Sequence, residues 1–177
     1  MNPARSTKTT ATVLCVALNP AVDLTIEVAG LRLGEVNRAQ RAQQDAGGKG
    51  INVASCLADY GVKVAVTGQL GRDNPALFEA LFNDKGIADH CLYIDGSTRV
   101  NAKVVDAEKG ETTDINLPGA QQTAAQIDTQ IAGLQGVLDE LAPSVRWVVL
   151  SGSLPPGWPD DTYATLIRHA HAIGARV

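Results

Sequence analysis

Glycines, a lysine and an asparagine stand together in one short segment of the 177-residue sequence. Gly47-Gly48-Lys49-Gly50 leads directly into an apolar stretch that contains Asn52 and is compatible with a helix ending near Tyr60. Glycine lacks a Cβ, so its backbone can approach a ligand closely and adopt positive φ. A helix that begins there would direct free N–H groups and its positive dipole end at a ligand, and Asn52 adds a donor and an acceptor. The segment therefore predicts a site for a polyhydroxylated, anionic small molecule.

The same segment also allows a purely structural interpretation, in which a glycine-rich turn lets a helix pack closely on a sheet. It does not fit two known nucleotide-binding patterns. A P-loop requires Ser or Thr after the lysine, whereas Gly50 follows Lys49 here, and the required earlier glycine is missing. The dinucleotide pattern Gly-x-Gly-x-x-Gly would need its third glycine at Val53. Both nucleotide-binding interpretations fail on spacing.

The composition is that of an ordinary globular domain. Hydrophobic residues make up 45% of the chain and charged residues 19%, and the length suffices for one domain with a substantial core. The formal charge of −4 and the lack of a Lys/Arg run give no support for a nucleic-acid partner. Cys15, Cys56 and Cys91 lie far apart without a Cys-x-x-Cys pair. We expect them to be buried in a reducing compartment, without a metal or disulfide role.

Neither a targeting segment nor a membrane segment is predicted. Residues 1–11 are polar and lack the apolar core of a signal peptide, so we predict a disordered tail there and the domain over residues 12–177. No apolar run approaches the roughly 20 residues that a spanning helix needs. These features predict a cytoplasmic protein without a membrane partner.

Strand and helix patterns alternate along the chain. Short apolar runs predict buried strands, and the stretches between them have helical patterns, with Asp73 as a cap of the second helix. The predicted strands cover residues 12–18, 62–67, 87–94 and 146–150, and the predicted helices cover about 50–60, 73–86, 123–141 and 163–172. This alternation predicts an α/β fold with a parallel sheet that is covered on both faces.

Two segments do not fit this layer. Residues 23–43 and 99–117 each contain a pair of strands with alternating polar and apolar residues. The second pair flanks the turn-prone Glu108-Lys109-Gly110. The two pairs predict a separate small sheet with one face in water, which would serve as a lid over a site or as a dimer surface.

Four motifs occur in an order that identifies a family. Asn19-Pro20-Ala21-Val22-Asp23 is followed by Gly47–Ala54, Thr98-Arg99-Val100-Asn101 and Ser151–Gly157. Together they resemble the PfkB sugar-kinase family, which has a ribokinase-like fold. The likeness is greatest to the branch of 1-phosphofructokinases and tagatose-6-phosphate kinases, and the segments Gly47–Ala54 and Thr113–Asn116 favour the former.

The resemblance implies a three-layer sandwich with a mostly parallel sheet and a small β lid. It runs from about residue 12 to the last residue and covers only the N-terminal half or so of a typical family member. The final segment, 174–177, has the pattern of a helix cap that leads into a further strand. We therefore expect the C-terminal half of the fold to be absent from this chain.

The resemblance also assigns sugar-binding roles. In the family, the residues that match Asp23, Gly47, Gly48 and Asn52 bind sugar hydroxyls. A carboxylate accepts hydrogen bonds from hydroxyls, whereas backbone N–H groups and the Asn amide donate them. Judged from the residues alone, Asp23 could instead cap the turn after Pro20.

Further residues are implied for the phosphate that the substrate already carries. Arg99 matches a phosphate-binding arginine on the lid, and Asn101 beside it is expected near the sugar. Lys49 and Ser153 are expected to hold the same phosphate by charge and by hydroxyl or backbone N–H donation. Simpler interpretations stay open: Arg99 as a solvated strand residue, Ser153 as a turn former beside Pro155, and Lys49 as an exposed lysine.

Two family motifs are missing from the sequence. Family members carry Asn-x-x-Glu, which orients Mg²⁺ and the nucleotide phosphates, and Gly-Ala-Gly-Asp, which supplies an anion hole and the catalytic base. Phosphoryl transfer depends on positioning, charge neutralisation and that base. We therefore expect no catalytic residue in this chain, most of the site for ATP and Mg²⁺ to be missing, and little or no kinase activity.

The expected function is that of a 1-phosphofructokinase-type enzyme, which converts fructose 1-phosphate to fructose 1,6-bisphosphate with ATP, in a catalytically incomplete form. The expected partners are a phosphorylated ketose and a second copy bound through the lid strands. One alternative is a tagatose-6-phosphate kinase or another PfkB sugar kinase. Others are a non-catalytic fragment that binds sugar phosphate, and a chain that is only part of a longer protein.

Overall fold

The computed structural model describes residues 11–177, and these contain nine strands and four helices. In chain order the strands are β1 (Val13–Ala17), β2 (Ala21–Val28), β3 (Ala39–Gly47), β4 (Val64–Gly71), β5 (Ala88–Asp89), β6 (Leu92–Ile94), β7 (Val100–Asp106), β8 (Glu111–Asn116) and β9 (Trp147–Leu150). The helices are α1 (Lys49–Asp59), α2 (Ala76–Lys85), α3 (Ala124–Leu141) and α4 (Thr162–Ala172). The predicted α/β fold is confirmed.

The larger sheet is parallel and has five strands. β1 lies between β4 and β9, and β4 also pairs with β5 and, further along, with β6. All eight residues of β4 are buried, which explains its nearly continuous run of apolar and small residues. The single strand predicted over residues 87–94 is instead two short strands, because the Asp89 carboxylate accepts the Cys91 N–H at 2.8 Å and interrupts the ladder.

Helices cover both faces of this sheet. Leu14 and Ala65 belong to one core cluster with residues of α3 and α4, whereas Cys15 and Val66 belong to a second cluster with residues of α1 and α2. Successive residues of a strand point to opposite faces, so the two clusters lie on opposite sides of the sheet. The predicted three-layer sandwich is thereby confirmed.

The start of α2 differs from the prediction. Pro75 occupies the cap position and no side chain caps this helix, so Asp73 is not the predicted cap. The neighbouring Asn74 is instead bound to the backbone of Thr98. At the start of α3, by contrast, Thr123 and Gln126 form a reciprocal capping box.

A second sheet, which we call the lid sheet, has four strands in the order β3-β2-β7-β8. It is antiparallel except where β2 meets β7. Its strands occupy the two segments that do not fit the parallel layer, and β3 continues past the predicted end at residue 43 to Gly47. The lid sheet therefore connects directly to the glycine-rich segment.

The two faces of the lid sheet differ in chemistry. One face carries a row of in-register side chains across all four strands, here called the polar row: Asp45, Asp23, Asn101 and Asn116. The opposite face is apolar and carries Leu24, Ile26, Ala102, Val104 and Ile115. This alternation is typical of a sheet with two different environments.

Asp106 fixes the far end of the lid sheet. Asp106 is only 2% exposed. The carboxylate accepts the N–H groups of Gly30 and Leu31 in the loop after β2, at 3.0 and 2.8 Å, and those of Glu108 and Lys109 in the next turn, at 3.1 and 3.3 Å. Burial acts to raise the pKa of Asp106, but these hydrogen bonds outweigh it and lower the pKa to about 2. One carboxylate thus joins two turns.

The predicted tail falls mostly on residues 1–10, which lie outside the described residues. Ala11, the last residue of that predicted tail, is fully buried in the core cluster that contains α3 and α4. Among residues 11–177, no helix combines the length and the apolar character that crossing a membrane requires.

The cysteines do not all follow the expectation of burial. Cys15 and Cys91 are buried, and burial raises the pKa of the Cys15 thiol to about 11. Cys56 is exposed, so the prediction was wrong for this residue. The reason is its position on α1, whose buried face is formed by Gly50, Ile51 and Ala54.

Candidate functional site

Three segments meet at one edge of the larger sheet. The loop after β1 contains Asn19 and Pro20, and the turn Ser151–Gly157 follows the neighbouring strand β9. The third segment, Gly47-Gly48, leads from β3 of the lid sheet into α1. Ligands of open α/β sheets bind outside the carboxyl ends of the strands, where β1 and β9 end here. This edge is therefore the candidate site.

The two glycines allow the backbone to pass close to its neighbours. A Cβ on Gly47 would collide with the carboxylate of Asp23. Gly48 has a φ of 113°, and a Cβ there would lie 2.9 Å from Cα of Pro20. Asn52 N–H makes the first helical bond, to the Gly48 carbonyl at 2.8 Å, and no side chain caps α1. The N–H groups of its first turn are thus available to a ligand.

Asn101 connects Asp23 to Arg99. Its Nδ2 donates to Oδ1 of Asp23 at 3.2 Å, and its Oδ1 accepts from Nη1 of Arg99 at 3.0 Å. A carboxylate can only accept and a guanidinium can only donate, so the two neighbours fix the orientation of the Asn101 amide. The charges of Asp23 and Arg99 are held apart by one side chain.

The guanidinium of Arg99 is fixed by backbone carbonyls as well. Its Nε donates to the Pro20 carbonyl at 3.3 Å, and its Nη2 donates to the Asn19 carbonyl at 3.2 Å. Its Nη1 also lies 3.5 Å from the carbonyl of Leu117, just after β8. Arg99 therefore joins the loop after β1 to the start of β7 and the end of β8, both at the base of the lid sheet.

Lys49 and Ser153 approach each other through the turn after β9. The amide of Asn19 donates to Oγ of Ser153 at 3.2 Å, and the Tyr163 hydroxyl donates to the Gly152 carbonyl at 3.0 Å. Burial raises the pKa of Tyr163, so this hydroxyl stays protonated and keeps its donor. A Cβ on Gly152 would lie 3.7 Å from Cβ of Lys49. Lys49 and Ser153 are both exposed and can reach a ligand at the helix entrance.

Residues 14–177 match the profile of the pfkB family of carbohydrate kinases. The chain belongs to this family. The membership predicted from four ordered motifs is thereby confirmed, and so is the ribokinase-like fold that the motifs implied. The match begins in β1 and includes every strand and helix that contributes to the candidate site.

Relatives in this family support the predicted branch. A 1-phosphofructokinase of Xanthomonas campestris pv. campestris is 54% identical over 167 residues, which cover 93% of this chain and 50% of the relative. A 1-phosphofructokinase of Rhodobacter capsulatus is 46% identical over 162 residues, with coverage of 92% and 50%.

A solved structure is also similar to nearly the whole of this chain over about half of its own length. A protein from Thermotoga maritima described as a possible 1-phosphofructokinase superposes with a TM-score of 0.78 at 32% identity, and the match covers 93% of this chain and 52% of that one. The chain thus spans about half the length of the kinases that it matches. The likeness to 1-phosphofructokinases predicted from the motifs is confirmed.

The predicted site residues fall into two groups in this pfkB-family chain. Asp23, Gly47, Gly48 and Lys49 surround the entrance of α1, and Asn52 is exposed one turn further along the helix. The second group consists of Arg99, Asn101 and Ser153. Asn101 connects it to Asp23 of the first group, and Asn19 joins Ser153 to Arg99 through its amide and its carbonyl. All eight residues lie at the same edge of the sheet or at the base of the lid sheet.

Sequence reasoning missed Asn74, which positions the start of β7. Its Oδ1 accepts the N–H of Thr98 at 2.7 Å and its Nδ2 donates to the Thr98 carbonyl at 2.9 Å. The Thr98 hydroxyl in turn accepts the N–H of Gly71 at 2.8 Å. The residue before Arg99 is thus fixed from two sides. The only signal for Asn74 in the sequence is a short polar residue before Pro75.

Two members of the polar row, Asp45 and Asn116, were also missed as candidates. Asp45 lies opposite Asp23 in register, and Nε2 of Gln43 donates to both of its carboxylate oxygens at 3.0 Å. Asn116 lies opposite Asn101 at the other end of the row. Only the strand register, which the sequence does not give, places these residues beside the predicted ones.

The described residues do not fit a magnesium site. Within residues 11–177, no three His, Cys, Asp or Glu side chains lie close enough to bind a metal ion. The carboxylates at the site, Asp23 and Asp45, are instead bound to the amides of Asn101 and Gln43. The chemistry that this arrangement supports is recognition of hydroxyl and phosphate groups.

Proposed function

We propose that this chain supplies the sugar-phosphate site and lid of a kinase that phosphorylates fructose 1-phosphate at its C6 hydroxyl with ATP. One observation carries the proposal: an uncapped helix entrance, a carboxylate and three phosphate-binding candidates converge at one edge of the sheet. The names of relatives that are up to 54% identical support the choice of fructose 1-phosphate.

At the sugar end, hydroxyl groups meet both acceptors and donors. The Asp23 carboxylate accepts hydrogen bonds from sugar hydroxyls, while the backbone of Gly47 and Gly48 and the amide of Asn52 contribute donors. Asn101 lies beside the sugar and keeps the Asp23 carboxylate in place through the 3.2 Å hydrogen bond. Fixed groups of this kind position the substrate for transfer.

At the phosphate end, positive charge and hydroxyl donation act together. Lys49 contributes a mobile ammonium group, Ser153 a hydroxyl, and Arg99 a fixed guanidinium charge. The N–H groups at the start of α1 add the positive end of a helix dipole. These groups hold the phosphate that the substrate brings and leave its far hydroxyl free for transfer.

The lid sheet would close over the bound sugar and exclude water, which limits wasteful hydrolysis of the phosphoryl donor. In the complete reaction ATP supplies the phosphoryl group and Mg²⁺ neutralises its charge. We assign the described residues binding and positioning roles; the catalytic base that Gly-Ala-Gly-Asp supplies in the family is not among them.

The apolar face of the lid sheet supports a second part of the proposal, a homodimer. Ile115 on that face is 55% exposed, and Leu33 and Val36 in the loop between β2 and β3 are 93% and 90% exposed. The face itself, with Leu24, Ile26, Ala102, Val104 and Ile115 placed together by the strand register, is a contiguous apolar surface of the kind that marks interaction sites. A second copy of the chain, packed through its own lid strands, would cover this surface.

Calorimetric titration of the 177-residue chain tests the substrate assignment. We expect binding of fructose 1-phosphate, weaker binding of tagatose 6-phosphate, and little or no turnover with ATP and Mg²⁺. Asp23→Ala should weaken fructose 1-phosphate binding by roughly tenfold or more, because an acceptor for the sugar hydroxyls is lost. Asp84→Asn, on the exposed side of α2, is the matched control and should leave binding unchanged. A wild-type chain that does not bind fructose 1-phosphate would contradict the proposed function.

A further inference from the structure

A lysine extends the polar row of the lid sheet outward. Lys103 lies on β7 in register with Thr25 of β2 and Asp114 of β8. Side chains alternate along a strand, so Lys103, two residues after Asn101, is on the face that carries the polar row. That face adjoins the helix entrance, because Asp23 in the same row touches the backbone of Gly47.

Arg99 alone offers few donors to a phosphate. A guanidinium has five N–H bonds, and hydrogen bonds to Asn101, to the Pro20 and Asn19 carbonyls, and to that of Leu117 occupy four of them. A phosphate monoester at neutral pH presents three strongly accepting oxygens and close to two negative charges. Arg99 therefore leaves most of these oxygens without a donor on the side of the lid sheet.

Lys103 can supply such donors. Its side chain is exposed, and it forms no ion pair with any carboxylate among residues 11–177. Asp114 lies opposite Lys103 on the neighbouring strand β8. It is also exposed, so water screens the attraction between the two charges. An ammonium group on a flexible stem is a point charge with three rotatable donors, which suits a ligand that arrives from solvent.

We propose that Lys103 is a second phosphate-binding cation of the lid sheet beside Arg99, and that it engages the phosphate of a sugar-phosphate ligand when the lid lies over the site. The assignment deepens the proposed function and rests on it. Lys49 and Ser153 hold the phosphate from the side of the larger sheet, and Lys103 holds it from the side of the lid. Lys103 thereby distinguishes a phosphorylated sugar from a neutral one.

Titration of fructose 1-phosphate into three variants tests this role. Lys103→Met should weaken binding roughly tenfold and flatten its dependence on salt concentration, because one charge-assisted contact is lost. Lys103→Arg keeps the charge and should bind within about twofold of wild type. Lys63→Met is the matched control, because this exposed lysine precedes β4 at the opposite end of the strands, and it should change neither quantity. Equal affinity and equal salt dependence of Lys103→Met and wild type would overturn the assignment.

Binding of inorganic phosphate tests the role of Lys103 independently of whether fructose 1-phosphate is the substrate. A wild-type chain that does not bind fructose 1-phosphate contradicts the substrate, and phosphate then serves as the probe for Lys103. Weaker phosphate binding by Lys103→Met supports the assignment in that case, and unchanged or undetectable phosphate binding overturns it. Thermal unfolding of the variants should match that of wild type, because the Lys103 side chain is exposed and makes no ion pair in the described chain.

Discussion

At the scale of single residues, the clearest arrangement is the chain of hydrogen bonds from Asp23 through Asn101 to Arg99. The amide of Asn101 satisfies a carboxylate on one side and a guanidinium on the other. Direct pairing of the two charges would consume the acceptor and the donor that a ligand needs. Asn101 therefore acts as a neutral spacer, in addition to its proposed place beside the sugar.

Replacing this spacer by a charged residue of the same size should weaken ligand binding. In Asn101→Asp, the new carboxylate still accepts from Arg99 but repels Asp23 and donates no hydrogen bond to it. We expect affinity for fructose 1-phosphate, measured by calorimetry, to fall about tenfold. Asn116→Asp introduces the same charge at the end of the row, further from Asp23, and should have a smaller effect. Equal effects of the two substitutions would show that the spacer role is wrong.

At the scale of elements, the lid sheet is organised by its two ends. Arg99 and Asn74 fix the base of β7, whereas Asp106 joins the loop after β2 to the turn between β7 and β8. Strands that are held at both ends keep their register, and register decides which side chains share a face. The polar row depends on these contacts as much as on its own residues.

Asp106→Asn should loosen the far end of the lid sheet. The neutral amide is a weaker acceptor for the four backbone N–H groups, so hydrogen exchange at Gly30 and Leu31 should become roughly tenfold faster. Asp114→Asn, exposed on β8, is the control and should leave this exchange unchanged. Unchanged exchange in Asp106→Asn would contradict the anchoring role.

The same contacts predict a pH dependence. The folded-state pKa of Asp106 is about 2, below the ordinary value of about 3.9 for an unfolded aspartate. A lowered pKa stabilises the folded state above the unfolded pKa, and this contribution is lost as the pH falls from about 4 toward 2. The lid-sheet amides of wild type should therefore lose protection over this interval, after correction for the intrinsic exchange rate, and those of Asp106→Asn should lose less.

At the scale of the whole molecule, two cores and one exposed apolar face decide how the chain behaves in solution. The core clusters on the two sides of the parallel sheet are covered by helices. The apolar face of the lid sheet has Ile115 exposed to 55%. Burial of this face against a second copy would remove apolar area from water and stabilise the pair.

Ile115→Lys should therefore shift the chain toward the monomer. A charge buried within an apolar contact carries a desolvation cost, so we expect the dimer dissociation constant to rise at least tenfold in analytical ultracentrifugation. Thr112→Lys, on the same strand but on the polar face, adds the same charge and should leave the constant nearly unchanged. A wild-type chain that stays monomeric at high concentration would contradict the dimer.

Local patterns in the sequence predicted most elements but not the contacts between them. Thr123 at the start of α3 and Gly86 at the end of α2 act through neighbours a few residues away, so their roles could be predicted. Asn74 acts on Thr98, 24 residues further along, and thereby displaces the predicted cap. No pattern within one segment contains that information.

The same limit applies to the site. The glycines and Asp23 could be named because their motif resembles a family. Asp45 and Asn116 could not, since they join the polar row only through the pairing of β3 with β2 and of β7 with β8. Register between distant strands depends on tertiary packing, which a single sequence does not display.

Gly48 is the only residue between β3, which ends at Gly47, and α1, which begins at Lys49. On this connection, a rotation of the lid sheet about its base would have to be absorbed within a single residue at the entrance of the candidate site. We therefore expect a substitution at Gly48 to change lid mobility and ligand affinity together. A chimera that exchanges the lid with that of a relative needs a junction at this residue, so we expect such a graft to alter recognition along with mobility.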